Sequence, residues 1–121
     1  KFYFVDPGLR TALLGSRAFN FGHDLENMVY LELRRRGYQV STGKVPGGEI
    51  DFIANDGQRT LYIQVALTVT EPATLERELG PFGTLPAGSR CILLTTDRFA
   101  PDTGNVSWRD AIEVLAGGAL D

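Results

Sequence analysis

Glu49-Ile50-Asp51-Phe52-Ile53-Ala54 and Leu61-Tyr62-Ile63-Gln64-Val65-Ala66 are two alternating apolar runs that carry the polar side chains best spaced for chemistry in this chain. Successive side chains of an extended strand point to opposite sides. Glu49, Asp51 and Ile53 therefore share one face of the first run, and Tyr62, Gln64 and Ala66 share one face of the second. Asn55-Asp56-Gly57 between them reads as a tight turn, Gly57 supplying the positive φ that a hairpin needs. With Asn55 facing Gln58, Asp51 stands opposite Tyr62 and Glu49 opposite Gln64, which makes Asp51 and Gln64 diagonal neighbours. Such neighbours lie roughly 7–8 Å apart, so two oxygen-bearing side chains reach a common ion or water.

The elements around this hairpin follow from apolar spacing. From about Gly22 to Arg36, Leu25, Met28, Val29 and Leu33 recur at helical intervals, and Gly37 terminates the helix. Glu26 falls roughly 20° from Leu33 on the helical wheel, at the margin of the buried stripe, so its carboxylate points toward the sheet. Tyr38 to Lys44 is the next strand, turned into the hairpin by Pro46-Gly47-Gly48. Glu71 to Leu79 reads as a second helix, with Thr70 as an N-cap, Pro72 in the first turn and Gly80-Pro81 as the stop. Arg90 to Thr95 is a buried-type strand, and the tail from Val106 combines a short strand with a helix from Arg109 to Leu115, closed by Gly117-Gly118. At the other end, Phe2 to Val5 reads as a strand broken by Asp6-Pro7-Gly8, Leu9 to Leu14 as a short helix stopped by Gly15, and Ser16 to Phe21 as a loop. Strand, helices, three strands, helix, strand and helix in that order fit an α/β sandwich around a mixed sheet.

Composition bounds the function. A chain of 121 residues with 43% hydrophobic residues is one domain's worth of sequence, spanning 1–121. A net charge of −3 argues against a surface built throughout as a sleeve for nucleic acid. Cys91 is alone, so neither an internal disulfide nor a cysteine metal site can form, and a strand thiol in a reducing, cytoplasmic compartment is its plain reading. No run of 18 apolar residues occurs, which leaves no membrane-spanning helix, and no signal peptide or lipidation motif is seen. A strand at the very first residues, with no initiator methionine, reads as the continuation of a longer polypeptide.

Several stretches together resemble one known family. They are Lys1 to Arg10, Gly22 with Leu25 to Tyr30, Glu49-Ile50-Asp51-Phe52, Tyr62 to Ala66 and Glu76-Arg77-Glu78. This wording resembles the PD-(D/E)XK nuclease-like (restriction-endonuclease-like) superfamily, and within it the uncharacterised C-terminal domain that follows AAA+ ATPase modules in many bacterial and archaeal proteins. The resemblance implies a core of a mixed central sheet flanked by helices, an upstream AAA+ ATPase domain in the same polypeptide as partner, and DNA as a further partner. Homo-oligomerisation is compatible with it. It also implies Mg2+, held by Asp51, Gln64 and Glu26, with a lysine at the position of Ala66 to orient the nucleophile and stabilise the charge developing on phosphate.

Two departures bear on that chemistry. Gln64 replaces a carboxylate with a neutral amide, removing one negative charge from a divalent-cation site, so Mg2+ affinity should be weak. Ala66 has no functional group at all. Apart from Lys1, Lys44 is the only lysine in the chain, and it lies on the strand before Glu49. The sequence thus predicts a degenerate, non-catalytic accessory domain that binds nucleic acid or a protein. The alternative is an active metal-dependent DNA endonuclease whose catalytic set is Glu26, Asp51, Gln64 and a displaced Lys44. Arg34-Arg35-Arg36 complements the helix dipole, with a phosphate contact as the minority reading. His23 lacks a second ligand at zinc spacing.

Overall fold

A computed structural model describes residues 21–120. The strand expected at Phe2–Val5 and the helix expected at Leu9–Leu14 lie outside the described residues. Helix α1 spans Phe21–Arg35 and is followed by strands β1 (Gln39–Val45), β2 (Gly48–Asn55) and β3 (Thr60–Val65). Helix α2 (Pro72–Leu79) runs directly into a 3₁₀ turn (Gly80–Thr84), and β4 (Arg90–Thr95), β5 (Ser107–Asp110) and α3 (Ala111–Leu115) complete the order. The α-helix thus ends at Leu79, where the sequence expects Gly80-Pro81 to stop it, and the chain tightens there into the 3₁₀ turn. Gly80 keeps right-handed helical angles, and proline suits a first turn, where its missing N–H is not needed. Thr70 is not the N-cap of α2; Glu71 is, without a side-chain bond.

The five strands lie in the order β1-β2-β3-β4-β5. β1 to β3 form an antiparallel meander, while β4 and β5 run parallel to β3 and to each other. The parallel step from β3 to β4 requires a crossover, which α2 and the 3₁₀ turn supply. One face of the sheet buries Phe52, Ala54, Leu61, Ile63, Ile92 and Leu94 against Leu25, Val29 and Leu33 of α1 and against Ala111 and Val114 of α3. The three α1 residues recur every four positions, so one stripe of that helix meets the sheet. Leu93 and Gln64 alternate with residues of that core and so face the other side, where α2 and the 3₁₀ turn pack against β3 and β2. Among the described residues no helix is long and apolar enough to cross a membrane.

Arg36 joins the two ends of the described chain. Its guanidinium donates to the carbonyls of Val114 and Gly118 at 2.8 and 2.7 Å, capping the carboxyl end of α3, and also binds Glu32 at 2.6 Å. Arg35 pairs with the same glutamate, and these bonds, led by the one from Arg35, hold the Glu32 carboxyl below the usual range. Two members of the arginine run are thus committed within the fold.

Candidate functional site at the β2–β3 fork

The hairpin differs from its sequence-based register by two residues. Asn55 pairs with Thr60, Ile53 with Tyr62 and Phe52 with Ile63. Four residues rather than two make the connection, because the Asp56 carboxylate accepts the amides of Gln58 and Arg59 at 2.9 Å each, and Asn55 Oδ1 accepts that of Gly57 at 2.7 Å. Local side-chain capping of this kind competes with a minimal two-residue turn. One step beyond Phe52–Ile63 the register sets Asp51 straight across from Gln64, not diagonal to it.

At that step β2 also carries an irregularity. The pairs Ser41–Ile53 and Gly43–Ile50 leave Thr42 alone on β1 opposite both Asp51 and Phe52 on β2. This is a bulge, and it breaks the alternation on which the sequence-based faces rest. Ile50 and Ile53 end up on one face although three residues apart: a Cβ placed on Gly43 would sit 3.8 Å from Ile50 Cβ and against the Ile53 side chain. Gly43 leaves room there for both.

Asp51 and Gln64 plug the fork. The amide of Asp51 donates to Gln64 Oε1 at 2.7 Å, and the amide of Val65 donates to Asp51 Oδ2 at 2.9 Å. Gln64 Nε2 donates to the carbonyls of Glu49 at 3.1 Å and Glu78 at 3.2 Å. Gln64 is 3% exposed, and every polar atom of its carboxamide has a backbone partner. The amide orientation follows from chemistry, since the flipped form would set oxygen against two carbonyls and nitrogen against an N–H.

Carboxylates gather around this plug. Burial pushes Asp51 up, against the Val65 bond, and the charge of Glu49 adds to the rise. Glu26, on the first turns of α1, is raised by burial and then by the charge of Asp51. Glu78 on α2 is raised from the ordinary 4.5 to about 7, by burial first and then by Asp51 and Glu26, with Arg77 opposing. The structure therefore brings Glu26, Asp51 and Gln64 into one neighbourhood and adds Glu78. In the sequence Glu76-Arg77-Glu78 reads as a solvated helix face, with one member facing the Gln64 side of the sheet as the alternative; Glu76 and Arg77 are exposed, and Glu78, three residues after Leu75, is the half-buried one.

The remaining candidates stand differently. Lys44 pairs with Glu49 across β1 and β2 and is exposed. Ala66 extends β3 by donating its amide to Leu94. His23 faces Asn27, at 3.3 Å. Among the described residues no three of His, Cys, Asp or Glu are arranged to hold a metal ion. The donor set also fits a resident divalent ion poorly, because the Gln64 oxygen and one Asp51 oxygen are directed at backbone N–H groups.

The fold and this site define a mixed α/β domain with a carboxylate cluster set at a fork in its sheet. A protein of Haemophilus influenzae, described as uncharacterized, is 46% identical to it over 71 residues, which are 59% of this chain and 18% of that protein. The chain thus spans less than a fifth of that relative's length. No family model matches the chain, and no solved structure does.

Proposed function

We propose that this chain is a PD-(D/E)XK nuclease-like domain without catalysis, an accessory module of an AAA+ ATPase that engages a macromolecular partner in the cytoplasm. The observation that carries the reading is the inward commitment of the site: Asp51 and Gln64 are bonded to strand backbone, and Ala66 offers no cation. The order of helix, antiparallel meander, crossover helix and parallel strand supports it. So does the Haemophilus influenzae protein, in which the similar segment is a small part of a long chain. Of the two partner classes, protein is favoured over nucleic acid. Net charge is −3, and Arg35 and Arg36 are engaged with Glu32 and α3.

A second reading, an active endonuclease, draws on Lys44, which stands across from Glu49 at the margin of the carboxylate cluster. One experiment separates the two. Wild type, Asp51→Ala, Lys44→Ala and Ala66→Lys are incubated with plasmid and linear DNA in Mg2+ or Mn2+. No cleavage by wild type is expected. Cleavage by wild type that disappears in both alanine variants would establish the displaced-lysine nuclease instead.

A further inference from the structure

We propose that Gln64 is a positioning residue whose carboxamide does the work of a bound cation, tying β2, β3 and α2 together through bonds that only an amide can make. The inference deepens the non-catalytic reading of the same site. Three backbone groups converge on one side chain: the Asp51 N–H needs an acceptor, and the Glu49 and Glu78 carbonyls need donors. These groups come from β2 on one side and from the penultimate residue of α2 on the other. A carboxamide alone among the side chains of this length offers one acceptor and two donors from a neutral planar group.

A glutamate at this position would set an oxygen in the place of Nε2, facing two carbonyl oxygens at the 3.1 and 3.2 Å now spanned by donor bonds. It would also add a charge beside Asp51, which already raises both Glu26 and Glu78. A divalent cation placed between would relieve both conflicts, since it accepts lone pairs from carboxylate and carbonyl alike. Gln64 reaches the same closure without an ion. Burial leaves water little access to substitute for any of the three bonds.

The test is thermal unfolding of wild type, Gln64→Glu and Gln64→Met, each with EDTA and with millimolar Mg2+ or Mn2+. Wild type should unfold at the same temperature in all conditions. In EDTA both variants should unfold lower, on the order of 10 °C, Gln64→Glu for the loss of the two donor bonds and Gln64→Met for the loss of all three. Metal should raise Gln64→Glu by several degrees and leave Gln64→Met unchanged, a difference that a merely space-filling role of Gln64 does not produce. A Gln64→Glu variant as stable as wild type in EDTA would overturn the proposal. So would a wild type stabilised by either metal. Should the variants not fold, the wild-type carboxamide protons of Gln64 can be followed by NMR during Mg2+ addition. They should stay in place, and a saturable shift would make Gln64 a ligand and sink the idea. None of these readouts depends on DNA cleavage or on a partner, so the proposal and the functional reading can fail separately.

Discussion

Gln64 and Asp51 meet side chain to backbone: the Gln64 oxygen accepts the Asp51 amide at 2.7 Å, and the Asp51 carboxylate turns instead to the amide of Val65. Two side chains thus replace the backbone bonds that a continuing ladder would make, where β2 bulges away from its regular course. The carboxylate that sequence singles out for metal chemistry is also a structural acceptor in the sheet.

That double role can be separated by substitution. Asp51→Ala leaves the Val65 amide without its acceptor and should cost about 1–3 kcal/mol in urea unfolding. Asp51→Asn keeps an oxygen in place and removes a charge that its neighbours oppose, so its stability should stay within about 1 kcal/mol of wild type. Equal loss in both variants would show that the charge itself is needed.

The carboxylate cluster predicts a pH dependence of definite sign. Glu78 is protonated in folded and unfolded chains below 4.5 and ionised in both well above 7, but between these values only the folded chain holds the proton. Its contribution to stability is therefore complete at low pH and lost as pH rises from 4.5 to about 7. Asp51 and Glu26, also raised, act in the same direction. Glu32 and Asp56 are lowered, and their contributions fade only as pH falls through still lower values. Unfolding temperatures measured from pH 4.5 to 7.5 should fall with pH in wild type and fall less in Glu78→Gln.

Arg36 should matter far more than its neighbour in the basic run. Arg36→Ala removes one bond to the Val114 carbonyl of α3, one to the Gly118 carbonyl just beyond it and one to Glu32, a loss of about 2–3 kcal/mol by denaturant titration. Arg35→Ala breaks a pair whose arginine is 66% exposed and should change stability by about 0.5 kcal/mol or less. Comparable effects would mean that α3 is held by packing alone.

The turn between β1 and β2 is held close to the 3₁₀ turn. A Cβ on Gly47 would stand 3.0 Å from the Gly80 carbonyl oxygen and 3.2 Å from Pro81 Cα, both backbone atoms that cannot swing aside. Gly47→Ala should cost about 1–3 kcal/mol in urea unfolding. Gly83→Ala, with nothing within 4 Å of the added carbon, serves as its control and should be far milder.

Read alone, the sequence determined the types and order of the elements from Gly22 onward, because apolar spacing and turn residues are local properties. Leu25, Val29 and Leu33 are buried as their spacing requires, Asp51 is bonded to Gln64, and the charge of Asp51 reaches Glu26. Tertiary structure alone decided how they meet. Strand register depends on the turn that closes the hairpin, and Asp56 lengthened that turn by capping two amides. Alternation of faces holds only where pairing is regular, and the bulge opposite Thr42 broke it at Asp51 itself. The bond from Gln64 to the Glu78 carbonyl and the reach of Arg36 to Gly118 join residues far apart in sequence. Such contacts come from the packing of whole elements, which local periodicity does not encode.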